Sequence, residues 1–486
     1  MDIWQNSKVR LTNGTVRGRR LDGHVSFRGI PYAAPPVGDL RWRPPAPVEP
    51  WTGVRDAFEP GNPAPQPAAS FDGTTSLDED CLTVNVTTPG TPGEGRPVLV
   101  WLHGGGGTNG NAADYDARRL AVTGDLVVVA PNFRLGVLSC FGYPGLDGGG
   151  TFGLQDQQAV LRWVRREIAG FGGDPGNVTL MGESYGATMV AAHLTAPGSA
   201  GLFHRAIVQS VFSVLGTTPA HTFMPGLPEL PPRWAPEAEL AAIGAAVAAE
   251  RGWVTGDADA LAQLRQVPVK DLLEVSDAFI RPAFGGATLP ESPAAALAAG
   301  RFHRVPVLLG TTLDEARFFV TLAGNPVTAE SYPRLLAEAF GGYADDVADR
   351  YPLRDYETPS LAWARISTDR AWARPSWELA KALAAHTGTW FCEFADENAP
   401  SLVPGFPAGA QHSSALVYQF DFEGRPGLPA PQRELADRMT RHWAAFARDG
   451  DPGWPGFEHV ERLAPGERGG TDYAATHRLG FWAGKP

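Results

Sequence analysis

A chain of 486 residues is long enough for roughly three domains at about 150 residues each, or for one large α/β unit. Hydrophobic residues make up 43% and charged residues 19%, close to globular averages, which excludes a disordered or fibrous chain. The 53 acidic side chains outnumber 41 basic ones for a net charge of −12, so phosphate backbones and anionic membranes are repelled and nucleic acid is excluded as a partner.

Met1 to Arg20 is charged throughout and lacks the apolar core of a signal peptide, and nowhere do eighteen apolar residues run together. Cys81, Cys140 and Cys392 are too few and scattered for a disulfide framework or a thiolate zinc site. The expectation is a soluble, cytoplasmic chain with reduced thiols and no membrane contact. Oligomeric state is open, with a monomer expected.

Val9–Thr12 and Thr15–Gly18 flank Asn13-Gly14, a dipeptide suited to a type I′ turn, so the chain opens with a hairpin. Pro31–Pro50 and Pro60–Pro67 are proline-rich, but Tyr32, Trp42, Trp51 and Phe58 are interleaved, which lays these stretches over a core. From residue 80, short apolar runs alternate with helical segments. Runs 82–86, 98–102, 126–130, 178–181, 206–208, 305–309 and 416–420 read as strands. Helices are expected over 154–168, 236–252 and 434–448, the last stopped by Asp449-Gly450-Asp451-Pro452. Strands alternating with helices predict an α/β fold with a mostly parallel central sheet and helices on both faces.

Val178–Met181 leads into Gly182-Glu183-Ser184-Tyr185-Gly186 and then into a helix-compatible run. That is the Gly-x-Ser-x-Gly strand–turn–helix context, in which a strained turn lifts the serine hydroxyl above a sheet. Trp101-Leu102-His103 precedes Gly104–Gly107, and four glycines let successive NH groups converge on an oxyanion. A serine nucleophile needs a base, and the base needs an acid. In chain order the acid is Asp314 or Glu315, just after the strand at 305–309, and these residues alone do not choose between them. His386, His412, His442, His459 and His477 are the downstream histidines. His386 and His442 fall in helical patterns, whereas His412 sits in the Gly409-Ala410-Gln411 loop and is the favoured base. His103 precedes the nucleophile and reads as a structural hydrogen-bonding residue; Glu183 and Ser210 read as framework, and Cys140 and Cys392 as packing.

With these residues in place the chain resembles the type-B carboxylesterase/lipase family of α/β-hydrolases, which includes para-nitrobenzyl esterases and cholinesterases. Phe27–Ala33, Pro35–Gly38, Glu79–Leu82, Asn132–Gly136, Gly153–Gln157 and Phe171–Pro175 all carry family-like segments. The resemblance implies Ser184 as nucleophile, Glu315 as acid and His412 as base, with NH groups of Gly105, Gly106 and Tyr185 as the oxyanion hole. It implies one hydrolase domain over 1–486 with insertions near 215–300 and 320–400, no metal or cofactor, and a small-molecule ester substrate. Small to medium carboxylic esters would pass through an acyl-enzyme. Carbamates, thioesters or amides are the alternative substrates, and a non-catalytic adhesion protein the remote one.

The sequence also departs from the family pattern. Tyr185-Gly186-Ala187 stands where Ala-Gly-Gly is common, setting a large ring beside the nucleophile, and Gly107 replaces a larger residue, which would widen the site. Ala415 replaces an acidic residue and Thr151 an asparagine. Neither disulfide of secreted relatives has its partner cysteine here. Phe71–Asp80 lacks the tryptophan with which cholinesterases hold quaternary ammonium, so choline esters are not expected.

Overall fold

The computed structural model describes residues 6–67, 75–215, 225, 232–256, 259–323, 326–400 and 409–485. Lys8–Leu11 (β1) and Gly14–Arg17 (β2) form the expected hairpin, but its turn is Thr12-Asn13 and Gly14 already pairs with Leu11. The shift follows from packing. Trp51 lies over Gly14, where a Cβ would sit 2.3 Å from the indole, and its Nε1 donates to Thr15 O at 3.1 Å.

The main sheet gathers Arg19–Leu21 (β3), His24–Pro31 (β4), Thr83–Pro89 (β6), Arg96–Leu102 (β7), Val127–Pro131 (β8), Gly173–Glu183 (β9) and Arg205–Gln209 (β10). Val307–Thr312 (β13), Thr389–Phe394 (β14) and Val460–Leu463 (β15) complete it. Val54–Asp56 (β5) extends the hairpin sheet, and Ala235–Pro236 (β11) pairs with Ala283–Phe284 (β12) apart from both. Across the sheet the order is β15-β14-β13-β10-β9-β7-β8-β6-β4-β3. From β8 to β15 every neighbouring pair is parallel, and β6, β4 and β3 add an antiparallel edge.

Alternation along the central strands sorts side chains into two cores, as a strand covered on both faces requires. Val98, Val100 and Leu102 face the helices Phe152–Glu167 and Tyr185–Thr195, whereas Leu99 and Trp101 face the long helix Ala430–Asp449. That long helix ends where Gly450 takes φ 80°, a left-handed cap. Glu237–Glu250 is the helix expected over 236–252. Trp42 from the proline-rich stretch is buried and stacked on Phe141 at 4.4 Å.

One expected strand is not a strand. Residues 416–420 lie in and just after a 3₁₀ turn, Ser414–Tyr418, because Leu416, Val417, Tyr418 and Phe420 all reach the same core. A strand would have split them between two faces. β14 and β15 carried no recognised signal, and β14 falls inside the stretch 320–400 read as an insertion. Of the stretch 215–300, residues 216–224, 226–231 and 257–258 lie outside the described residues, as do residues 71–74 of the segment 71–80. Among the described residues, no helix is long and apolar enough to cross a membrane.

Two family-like segments meet in a buried ion pair: Arg134 after β8 grips Asp156 of the helix Phe152–Glu167 through Nη2 at 2.7 Å and Nε at 2.8 Å. Asp156→Ala should cost about 3–5 kcal/mol in denaturant unfolding, because it strands a buried guanidinium.

Candidate active site

β9 ends at Glu183 and the helix Tyr185–Thr195 starts two residues later, leaving Ser184 alone on the bend at φ 56° and ψ −118°. A non-glycine residue held there stores roughly 1–3 kcal/mol of strain. Its NH is secured to Gln209 O at 3.0 Å. The flanking glycines are obligatory: a Cβ on Gly182 would lie 2.4 Å from the Gly186 carbonyl carbon, and one on Gly186 2.0 Å from Leu102 O.

The loop after β7 runs alongside. A Cβ on Gly104 would lie 3.1 Å from Ser184 Cβ, so the glycine run passes directly against the serine side chain. Gly105, Gly106 and Gly107 all have positive φ, at 97°, 67° and 87°. His103 secures the loop from below, stacked on Phe133 at 4.4 Å with Nδ1 2.9 Å from Gly104 O. Burial pushes its pKa down to about 4, so the ring is a neutral strut, as its position before the serine implied. Gly107 does not widen the site, because the Tyr185 ring fills the space a side chain would take.

Beyond β13 the two candidate acids part company. Glu315 is fully buried; its Oε1 accepts from Thr312 N at 2.9 Å and its Oε2 lies 2.6 Å from His412 Nδ1. Asp314 pairs with Arg317 at 3.1 Å and accepts from Ala410 N at 3.2 Å, away from the imidazole. Phe319, at 4.9 Å between ring centres, and Phe318 and Trp372 at 6.0 and 5.9 Å enclose His412. The other histidines are engaged elsewhere. His442 Nδ1 is 2.6 Å from Pro452 O, His459 pairs with Glu461, and His477 is locked between Asp369 and Glu393 at 2.7 and 2.5 Å. His386 packs edge-on against Phe302.

Glu183 is more than framework. Its Oε1 lies 3.3 Å from His412 Nε2 and accepts from Ser413 Oγ at 2.7 Å, so two carboxylates flank one imidazole. Burial by itself pulls the His412 pKa down, but Glu183, Glu315 and the hydrogen bond to Glu315 outweigh it, and the net shift is upward. Among the described residues Nε2 makes no hydrogen bond, and Glu183, the residue directly before Ser184, is the group that faces it. A glutamate directly before the elbow serine, in a chain whose favoured candidate base is far downstream, is the signal that could have revealed this.

A cavity of about 710 Å³ adjoins this cluster, with Gly104, Gly105, Glu183, Phe318, Ser413 and Tyr115 in its lining. That volume is within the usual range of about 300–1,000 Å³ for small-molecule sites. All three cysteines are buried and free, and burial pushes the Cys140 thiol up to about 11, so packing is their role. Thr151 accepts from Gln155 Nε2 at 2.9 Å and donates to Gly148 O at 2.8 Å.

The sequence profile of the Carboxylesterase family matches residues 5–465. The chain belongs to the carboxylesterase family. It is 33% identical to the para-nitrobenzyl esterase of Bacillus subtilis (strain 168), covering 93% of each chain, and 35% identical to the fumonisin B1 esterase of Sphingopyxis macrogoltabida, covering 93% of this chain and 84% of that one. The solved structure of a thermophilic para-nitrobenzyl esterase superposes with a TM-score of 0.76 at 30% identity, over 94% of this chain and 96% of that one. The fold of this esterase is that of the α/β-hydrolases, and it hydrolyses carboxylic ester bonds of small molecules.

Proposed function

We propose that Ser184, His412 and Glu315 perform the cleavage, with NH groups of Gly105, Gly106 and Tyr185 holding the oxyanion, inside one hydrolase domain spanning 1–486. The observation that carries this is the 2.6 Å contact between Glu315 Oε2 and His412 Nδ1. It fixes the tautomer with the proton on Nδ1 and keeps Nε2 basic. Ser184 Oγ attacks the ester carbonyl as Nε2 takes its proton, and the imidazolium is stabilised by the two flanking carboxylates. The tetrahedral intermediate collapses when His412 returns that proton to the leaving alcohol. Water activated by Nε2 then cleaves the acyl-enzyme. Nε2 makes no hydrogen bond among the described residues of the free enzyme, so the contact from Ser184 Oγ to Nε2 forms as substrate binds.

The cavity suits small to medium esters, and the enzyme acts as a monomer in the cytoplasm, in keeping with three unpaired buried cysteines. The test is a panel of para-nitrophenyl esters against matched carbamates, thioesters and anilides, together with fluorophosphonate labelling. Esters should be turned over fastest and one serine per chain labelled. Faster turnover of another class would reassign the preferred substrate, and ester turnover without labelling would overturn the serine mechanism.

Because a carboxylate at Nε2 raises the proton affinity of His412, and only the neutral ring is a base, Glu183→Gln should move the acid limb of the kcat/KM profile to lower pH. A pH titration of initial rates checks the direction.

A further inference from the structure

Four glycines in succession make a poor scaffold. Backbone donors stabilise an oxyanion only if they are held in place before charge develops, and glycine is the residue that loses most backbone freedom when held. The loop after β7 therefore needs external restraint. Part of it is visible in hydrogen bonds: Gly136 N donates to Gly107 O at 2.7 Å, and Thr108 N and Asn109 N each reach Gly105 O at 3.2 Å.

The rest comes from the residue after the serine. A Cβ on Gly107 would lie 2.6, 2.9 and 3.0 Å from Cε2, Cζ and Cδ2 of Tyr185, so the ring edge is seated against the Gly107 backbone. The ring is 3% exposed and takes no part in lining the substrate cavity. Its hydroxyl lies 3.9 Å from Cys140 Sγ, within Gly136–Cys140, the same short helix whose first NH holds Gly107 O. Loop, ring and helix thus brace one another in a closed triangle. The two departures from the family pattern at Gly107 and Tyr185 occupy a single volume.

We propose that Tyr185 is a positioning residue that props the glycine loop through Gly107, the two forming a matched pair that holds the oxyanion donors in place. This rests on the assignment of Gly105, Gly106 and Tyr185 as those donors. Tyr185 would then supply one donor from its own NH and steady the other two with its ring.

The test is a double-mutant cycle in the full-length enzyme with Gly107→Ala, Tyr185→Ala and their combination, plus Tyr185→Phe. Readouts are kcat and KM on para-nitrophenyl butyrate, inhibition by a trifluoromethyl ketone that mimics the tetrahedral intermediate, and thermal unfolding. Gly107→Ala alone should lower kcat and weaken ketone binding by about 100-fold, the scale of one lost oxyanion donor, while KM changes little. In the Tyr185→Ala background the same substitution should cost markedly less, because strain at φ 87° is common to both backgrounds and the difference between the two costs isolates the clash with the ring. Tyr185→Phe, which keeps the ring but loses the contact to Cys140 Sγ, should lose less kcat and ketone affinity than Tyr185→Ala. Equal cost of Gly107→Ala in both backgrounds would overturn the proposal, as would a loss confined to KM and melting temperature. Should Gly107→Ala fail to fold, the tyrosine variants decide. Tyr185→Ala must lose kcat and ketone affinity together and lose more of both than Tyr185→Phe, and a Tyr185→Ala enzyme at the parent rate overturns the pairing. Ester turnover surviving in Ser184→Ala would instead indict the nucleophile assignment on which the proposal rests.

Discussion

Ser184→Ala should lower kcat/KM on para-nitrophenyl esters by about 10⁴ to 10⁶ and abolish fluorophosphonate labelling, with cooperative unfolding preserved. The hydroxyl is the only atom lost, and alanine inherits the same φ of 56°, so backbone strain on the bend is unchanged and stability should move by less than about 0.5 kcal/mol. His412→Ala should cost a comparable factor in rate, and the double variant no more than either single one, because in the proposed reaction the two groups act in one chemical step. The folding consequences differ. Removing the imidazole leaves Glu315 Oε2 buried without its 2.6 Å partner, an expected loss of about 1–3 kcal/mol in urea unfolding. Steady-state rates and the intact mass of the inhibited protein distinguish the outcomes. Labelled protein with Ser184 absent would point to another hydroxyl, and Ser413, already bonded to Glu183, would be the first to examine.

What could be read from the sequence follows the physics of each feature. The elbow was legible because the bend admits so few residues: glycine at 182 and 186 is dictated by contacts under 2.5 Å with backbone atoms. The parallel strands of the middle of the sheet were legible because burial on both faces makes them continuously apolar, as in Val98–Leu102 where every position is buried. β14 was not, since Thr389-Trp390-Phe391-Cys392-Glu393-Phe394 places a glutamate inside the run, and only the fold shows that Glu393 is met by His477. Leu416–Phe420 misled for the opposite reason: an apolar run of that length is equally consistent with a strand or a buried turn. His412 could be favoured by its loop, but its selection among five histidines depends on which carboxylate the fold delivers to it. Glu183 was undervalued because its partner lies 229 positions away in the chain, and the fit of Gly107 to Tyr185 was invisible for the same kind of reason.

The sharpest division between adjacent residues is expected at 314 and 315. Glu315→Ala removes the carboxylate that bridges Thr312 N and His412 Nδ1, so the imidazole loses both its orientation and the charge that stabilises its cation. A loss in kcat of about 10⁴ is the scale for deleting or neutralising the acid of such a site. Glu315→Gln should fall almost as far, since an amide can present its NH₂ group to Nδ1 and favour the wrong tautomer. Asp314→Ala acts on different chemistry. Burial raises the Asp314 pKa, partly offset by Arg317 and Arg365, and its bonds run to Arg317 and Ala410 N, so it anchors the His412 loop without touching the ring. It should cost about 1–3 kcal/mol of stability and less than about tenfold in kcat. Stopped assays on the three variants, each normalised to its folded fraction, read the ranking directly. If Asp314→Ala were the more damaging, the working carboxylate would have to be the one bonded to Ala410, and His412 would need to turn its Nδ1 away from Glu315 for the reaction to proceed.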